Sequence, residues 1–243
     1  MKRIIVCVVM ALCFASVLSA AQGTVHYSIG VRYELASWDF KGAYYYKTWD
    51  DYLNDVRTEF GSEMGNLFGP TASISYEKFG FSVTYLLGSW KFPKYPYWWS
   101  DGFYIYEDEV TETSKRSDLV ITASYQIIPR LSVFVGFKNL SLKTEYRFRD
   151  NTSFDSDATA TGSGAGGGLS GSLPFTLRLH GYATVGYMKL GGDLDTENII
   201  AEGGLRLYFG NAPLFGSLGY RYESFDSGDT ILHGPILTVA FYK

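Results

Sequence analysis

Residues 24–36 read TVHYSIGVRYELA and alternate between apolar and polar side chains without a fault. Val25, Tyr27 and every second residue up to Leu35 are apolar, and the residues between them are polar or glycine. Successive side chains of a β-strand point to opposite faces, so this pattern predicts a strand with one apolar and one polar face.

The same two-residue period recurs along the chain. It predicts further strands at residues 70–78, 81–90, 118–127, 131–148, 158–171, 175–187, 199–209, 214–222 and 231–242. The pattern changes phase at Asn139, which suggests a β-bulge, and glycines between Gly162 and Gly168 dilute the strand that contains them. The predicted fold class is therefore all-β, with about ten strands in a range of about 8 to 12.

The joins between these strands alternate in length. Tight joins fall at 78–80, 128–130, 172–174 and 210–213, and longer polar joins fall at 38–68, 91–116, 149–158 and 191–198, with a shorter one at 226–230. In an up-and-down antiparallel barrel this order places every tight turn on one rim and every long loop on the other. An even number of strands also returns both chain ends to the tight-turn rim.

The N-terminal segment has the order of a secretory signal peptide. Lys2 and Arg3 precede an apolar run at residues 4–18, and small residues follow it. We therefore predict a signal peptide at 1–21 and a single β-barrel domain at 22–243.

Composition excludes several classes of protein. The 243 residues carry a formal net charge of −4 without a concentration of basic residues, which excludes a nucleic-acid partner. A mean hydropathy of −0.03 excludes a helical membrane protein. Both cysteines, Cys7 and Cys13, lie in the predicted signal peptide, so we expect neither disulfides nor cysteine metal sites after its removal.

Aromatic residues make up 17% of the chain and concentrate at the ends of the predicted apolar stripes. Near the tight turns they are Tyr27, Phe81, Phe175, Phe209 and Phe241, and near the long loops Tyr146, Phe148, Tyr187, Tyr220 and Tyr222. Two aromatic girdles around an aliphatic band are typical of a barrel that crosses two membrane interfaces.

The polar faces of the predicted strands carry charges of both signs. The lumen charges expected on this basis are Arg32, Glu34, Glu77, Lys138, Arg178, Glu202, Arg206, Arg221 and Glu223. Inside a barrel such side chains can pair with one another, whereas on the outside they would face hydrocarbon. Two hypotheses remain open for the lumen, a plug of cross-linked charges and a narrow pore lined by them.

These features resemble bacterial outer-membrane β-barrels over residues 22–243. Leu237, Val239 and Phe241 alternate up to the C-terminus, similar to the aromatic-ending last strand that the barrel assembly machinery recognises, although this chain ends on Lys243. The resemblance implies a protein of the cell outer membrane that contacts lipid and meets the assembly machinery during biogenesis. No motif selects one family within this class.

Two of the longer joins contain distinctive side chains. In residues 50–64, Leu53, Val56, Phe60 and Met64 recur at helical spacing behind Asp50 and Asp51, which predicts a short capped amphipathic helix, either a packed loop or a lid. Residues 92–106 are rich in aromatics and contain a candidate loop contact site of Tyr95, Tyr97, Trp98, Trp99, Phe103, Tyr104 and Tyr106. They predict either hairpin packing or contact with a host surface, a glycan or an apolar solute.

Residue patterns for catalysis and metal binding are weak. His26 and Ser28 have the spacing seen in outer-membrane phospholipases and lipid A deacylases, but they fall on the polar face, where a lumen pair is expected. An omptin-like protease would need an Asp-x-His, and Asp229 and His233 are four apart. The acidic residues at 193–197 could bind Ca²⁺, but a solvated loop is the preferred interpretation.

The sequence therefore predicts a non-enzymatic outer-membrane β-barrel without a cofactor or resident metal. The first functional hypothesis is a structural, surface-exposed protein whose loops contact an extracellular ligand or a host. The alternative is a narrow porin-like channel for small solutes.

Overall fold

The computed structural model describes residues 25–40, 44–45, 48, 51, 53–54, 58–59, 62–100, 105–210, 212–225 and 230–243. The signal peptide predicted at 1–21 lies outside these residues. No helix in the described ranges has the length and apolar character needed to span a membrane.

Thirteen β-strands are present in the described part of the chain. They are β1 (Val25–Phe40), β2 (Tyr44–Tyr45), β3 (Thr58–Glu59), β4 (Glu63–Tyr76), β5 (Phe79–Lys91), β6 (Tyr95–Ser100), β7 (Ile105–Ile128), β8 (Leu131–Phe148), β9 (Ser156–Pro174), β10 (Leu179–Gly192), β11 (Thr196–Tyr208), β12 (Leu214–Phe225) and β13 (Thr230–Tyr242). A single 3-10 turn, Thr152–Phe154, lies between β8 and β9.

Ten of these strands form a closed antiparallel barrel. Their order is β5-β4-β1-β13-β12-β11-β10-β9-β8-β7, and pairing of β5 with β7 closes the ring. β6 continues above β5 and pairs with the first six residues of β7, while β2 and β3 form a separate two-stranded sheet. The predicted all-β, up-and-down barrel is thereby confirmed.

The outer surface of the barrel is an apolar band. Ile29 is 61% exposed, Leu218 64% and Val135 66%. Exposure of so many large apolar side chains is unfavourable in water but favourable in the hydrocarbon of a bilayer. Outward aromatics border the band, with Tyr27, Phe81, Phe175, Phe209 and Phe241 at the tight-turn end and Tyr187, Tyr220 and Tyr222 at the long-loop end. Tyr146 and Phe148, predicted for the second girdle, instead face inward beyond the band, opposite Glu112 and Val110.

Several strands extend well beyond the apolar band. β4 begins at Glu63 and β7 at Ile105, so much of what was predicted as loop at 38–68 and 91–116 is strand. The alternation is hard to recognise there because the outward face becomes polar once a strand leaves the band. The join predicted as long at 191–198 is also short, since β10 ends at Gly192 and β11 begins at Thr196.

The predicted bulge at Asn139 was wrong. Asn139 pairs with Leu119 and Ser163 in unbroken register, and the shift in the β7–β8 ladder lies at Gln126–Ile128 instead. What changes at Asn139 is the environment of each face. Val135 points outward into the apolar band, whereas beyond Asn139 the apolar side chains, such as the buried Leu140, point inward.

The glycines of β9 allow close approach of β10. A Cβ at Gly164 would lie 1.7 Å from the carbonyl oxygen of Lys189, and one at Gly166 would lie 1.9 Å from that of Tyr187. Since only glycine fits at such separations, the glycine-rich composition is a requirement of this strand pair.

We predict that Gly164→Ala destabilises the barrel by about 1–3 kcal/mol, because the added methyl must push β10 away. Gly191→Ala is the matched control, since its Cβ would meet nothing nearer than the Ser163 carbonyl oxygen at 3.9 Å. Urea unfolding of both variants, monitored by heat-modifiable gel mobility, measures the difference between their unfolding midpoints. Equal unfolding midpoints for the two variants would contradict the proposed packing.

Candidate functional site

The centre of the lumen is occupied by the carboxylate of Glu223 on β12, whose side chain is 0% exposed. Its Oε2 lies 2.9 Å from Nη2 of Arg116 and 3.1 Å from Nη2 of Arg221. Its Oε1 accepts hydrogen bonds from Nζ of Lys138 and from Nδ2 of Asn198, the latter at 3.0 Å. Arg116 lies on β7, five strands from β12 in a ring of ten, so these contacts cross the lumen to the opposite wall.

The same network continues toward β1 and β11. Arg32 pairs with Glu34 and with Glu202, each at 2.6 Å, and Arg221 reaches Glu34 at 3.2 Å. We call this set the lumen network, and its charged members are Arg32, Glu34, Arg116, Asp118, Lys138, Glu202, Arg221 and Glu223. Four cations face four carboxylates, so the network is electrically neutral.

Apolar side chains pack on the long-loop side of the lumen network. One cluster contains Ala36, Trp38, Leu67, Leu86, Trp90, Phe92 and Leu232, and the other Leu140, Leu190 and Phe225. The guanidinium of Arg116 lies 5.9 Å from the Trp38 ring and 5.3 Å from the Phe225 ring, so cation–π contacts connect the charged and apolar layers. Charge network and apolar clusters together pack this half of the lumen.

On the tight-turn side of the lumen network lies a cavity of about 510 Å³, which we call the vestibule. It extends from Asp118 to Arg130 and Ser172 at the tight-turn rim. Hydroxyl groups dominate its wall, among them Ser73, Ser82, Thr84, Thr122, Ser124, Ser132, Ser170 and Thr184. Some pair across strands, as Ser82 and Thr122 do at 2.6 Å.

The nine lumen charges predicted from sequence have three different locations. Arg32, Glu34, Lys138, Glu202, Arg221 and Glu223 lie in the lumen network, and Arg206 lines the vestibule. Glu77 and Arg178 lie instead in exposed tight turns, because β4 ends at Tyr76 and β10 begins only at Leu179.

Three polar residues of the network were missed by the sequence prediction. Asp118 and Arg116 share the inward face of β7, and Asn198 lies on β11. Asp118 alternates with Val120 and Thr122 on the predicted strand, a signal that could have identified it. Arg116 was hidden because the strand was predicted to begin two residues later.

Above the apolar band, β6 and β7 form a projecting hairpin. Tyr97 is 43% exposed, and its ring lies 5.1 Å from that of Phe148 and 6.4 Å from that of Phe154. The Tyr95 hydroxyl donates to Glu112 at 3.3 Å, and Tyr106 is 38% exposed. Of the predicted loop contact residues, Phe103, Tyr104 and the side chain of Trp99 lie outside the described part of the chain, and Trp98 lies on the opposite face of β6 from Tyr97.

Ion pairs cover the outward face of the projecting strands. Glu145 lies 2.6 Å from Lys115 and 3.0 Å from Lys143, and Asp157 lies 2.8 Å from both Lys143 and Arg147. Such a polar ladder requires water, which places this level of the strands outside the apolar band.

The predicted helix at 50–64 is shorter than expected. Asp51 and Leu53 have helical backbone geometry, but Met64 belongs to β4. The hydroxyl of Thr48 accepts the N–H of Asp51 at 3.1 Å, and the Asp51 carboxylate accepts the N–H of Thr48 at 3.0 Å. This capping box makes Thr48 the cap in place of the predicted aspartates, while Asp50, Val56 and Phe60 lie outside the described residues.

The residues considered for catalysis and metal binding have other partners. Ser28 hydrogen-bonds to Ser73 at 2.8 Å, and on the outer surface His233 lies between Asp39 at 2.9 Å and the Tyr220 hydroxyl at 2.5 Å. No serine in the described ranges hydrogen-bonds to a histidine. Near the acidic turn, Asp195 pairs with Lys189 at 3.1 Å, and no group of three described His, Cys, Asp or Glu residues could hold a metal.

Comparisons with known proteins give matches only among solved structures. The translocator domain of the autotransporter NalP from Neisseria meningitidis has a TM-score of 0.46 and 14% identity, covering 96% of this chain and 95% of that one. The β domain of the Bordetella autotransporter BrkA has a TM-score of 0.48 and 11% identity, covering 90% and 99%. Ail of Yersinia pestis has a TM-score of 0.40 and 11% identity, also covering 90% and 99%.

These neighbours are bacterial outer-membrane β-barrels. The likeness concerns the fold. No protein-family model and no curated protein matches the sequence.

We predict that Glu223→Gln destabilises the barrel by about 3–5 kcal/mol, because Lys138 and Arg116 then lose a shared buried counter-charge. The matched control is Glu145→Gln, which also removes a carboxylate with two lysine partners, but on the water-exposed ladder. Urea unfolding in lipid vesicles compares the two variants. A Glu223→Gln midpoint as high as that of Glu145→Gln would show that the buried cations do not need the charge of Glu223.

Asp108 fixes the tip of the projecting strands. Its carboxylate accepts the backbone N–H groups of Glu109 at 2.7 Å, Asp150 at 3.0 Å and Asn151 at 2.9 Å. Desolvation opposes ionisation, but these three hydrogen bonds and the charge of Arg149 lower the pKa of the Asp108 carboxyl below its usual value.

We predict that protection of residues 149–155 from hydrogen exchange is lost only at acid pH. Because the folded-state pKa of Asp108 is lowered, its stabilisation is complete above the usual aspartate pKa of about 3.9 and disappears as the pH falls through the lower value. Asp108→Asn should remove the protection at every pH, whereas Asp150→Asn, on an exposed carboxylate, should leave it nearly unchanged. Unaltered exchange in Asp108→Asn would contradict this role.

Proposed function

We propose that the protein is an integral barrel of the bacterial outer membrane that displays a contact surface outside the cell and does not conduct solutes. In this orientation the tight turns lie in the periplasm and the long loops lie outside. Export would require the predicted signal peptide at 1–21. The outward apolar band with its two aromatic borders supports insertion in lipid.

The dense packing of side chains across the lumen is the observation that carries this proposal. The lumen network reaches from β12 to the opposite wall, and Lys138, Asn198 and Glu223 are each 0% exposed to solvent. Apolar clusters continue the filling toward the long-loop rim. A permanent aqueous pore would have to pass through charges that already bind one another, so the packing favours a plug over the porin-like alternative.

The projecting hairpin supports the second part of the proposal. Tyr97 and Tyr106 remain 43% and 38% exposed at the far end of the strands, and Phe154, whose ring lies 6.4 Å from that of Tyr97, is 36% exposed. Exposed aromatic side chains are effective anchors in protein and glycan recognition because they bury a large area at little entropic cost. The ladder of ion pairs below them holds the strands above the membrane surface.

We predict that the refolded mature protein is silent in planar lipid bilayers. Folding and insertion of the same protein preparation must be shown independently by heat-modifiable gel mobility after reconstitution into vesicles. Discrete, reproducible conductance steps from the inserted wild-type protein would overturn the sealed-lumen proposal in favour of a channel.

The hairpin can be removed without opening the barrel. The N–H of Phe92 donates to the carbonyl oxygen of Glu112 at 3.0 Å, so an Asn-Gly turn can replace residues 93–111 between them. Wild-type protein in nanodiscs should bind a subset of immobilised glycans and extracellular-matrix proteins, and the excised variant should not. The control is Leu177→Ser, at a 99% exposed position on the other rim. Equal binding by the excised variant would reject the hairpin as the contact surface.

A further inference from the structure

The vestibule contains a cation that the lumen network does not neutralise. The network has four cations and four carboxylates, so it supplies no spare negative charge. Asp118 and Glu202 line the vestibule, but each is already paired, with Arg116 and Arg32 respectively. Arg206 also lines the vestibule and forms no ion pair or hydrogen bond with any described residue.

Aromatic rings hold Arg206 in a fixed position. Its guanidinium lies 4.7 Å from the Phe215 ring and 5.6 Å from the Tyr182 ring, and its Nε is buried without a partner. Stacking of this kind restrains the guanidinium while leaving its N–H edge free to donate. The residues directly opposite Arg206 in the sheet are His180 on β10 and Ser217 on β12.

The remaining wall favours a polar, negatively charged occupant. Arg130 at the tight-turn rim adds a second cation to the vestibule, and the hydroxyls already described can donate or accept hydrogen bonds. A concave site with uncompensated positive charge concentrates anions. Its volume of about 510 Å³ falls within the range of small-molecule sites, about 300–1,000 Å³.

We propose that the vestibule binds a small hydroxylated solute carrying a phosphate or carboxylate group, with the oxyanion on the guanidinium of Arg206. The solute enters from the tight-turn rim and goes no further, because the lumen network closes the other end. The planar fork of arginine can donate two parallel hydrogen bonds to such a group. The vestibule is then a binding site on the periplasmic side of a sealed barrel.

Isothermal titration calorimetry on the mature protein in phosphatidylcholine nanodiscs tests this inference. The probes are inorganic phosphate, glucose 6-phosphate and uncharged glucose, all at one ionic strength set with sodium chloride. Glucose 6-phosphate should bind more tightly than phosphate, and glucose should not bind detectably. Arg206→Gln should weaken binding of both anions at least about tenfold.

The control variant is Arg178→Gln, which removes an arginine from the same rim but outside the vestibule and should bind as the wild type does. Arg206→Lys retains the charge but not the planar guanidinium, so its affinity should lie between those of the wild type and Arg206→Gln. It also serves as the test variant if Arg206→Gln fails to fold. Glucose 6-phosphate affinity should be the same in phosphatidylglycerol nanodiscs, since the site lies inside the barrel. A lower affinity in phosphatidylglycerol nanodiscs would show that the lipid headgroup competes for the site. That result would overturn the proposal of a soluble ligand in favour of a headgroup.

Absence of wild-type binding overturns the proposal outright. Equal affinity in the wild type and in both Arg206 variants would indicate an adventitious anion only. Neither result bears on the sealed lumen or on the hairpin, because bilayer conductance and surface binding are measured separately.

Discussion

The barrel depends on the pairing of Glu223 with Lys138 and Arg116 across its lumen. At the level of the apolar band the apolar side chains face outward, so the polar side chains of the lumen must satisfy one another there. Glu223 and Arg116 lie on strands that are farthest apart in the ring, so their contact exists only when the barrel is closed. Closure of the sheet and filling of the lumen are therefore one event, and the partial network of an open sheet would leave charges unpaired.

Each long strand changes its environment part-way along its length, and this limits what the sequence can predict. Alternation persists on both sides of the band edge, although its phase changes, which is why residues 131–148 were predicted with the same bounds as β8. Beyond the band, Leu140 turns inward while Lys143 and Glu145 turn outward. A one-dimensional pattern cannot distinguish this inversion from a one-residue slip of the strand, so Asn139 resembled a bulge.

The lumen charges show the same limit at the level of single residues. Charge on the polar face of a strand has to point inward in a lipid-facing barrel, and this argument alone identified Glu34, Lys138 and Glu223. Their partners could not be predicted, because Glu34 and Arg221 are separated by 187 residues and meet only through the closed topology. Errors arose at strand ends, where a shift of a few residues placed Arg178 in a turn and left Arg116 out.

The two halves of the lumen follow from one balance of charge. All four carboxylates of the lumen network are used to neutralise Arg32, Arg116, Lys138 and Arg221. That half can exclude water because nothing in it needs an external counter-ion. Arg206 lies on the tight-turn side of this boundary with no carboxylate left for it, so the vestibule must stay hydrated or hold an anion. The same neutrality that lets charges pack together in one half of the lumen therefore leaves the other half with an unbalanced positive charge.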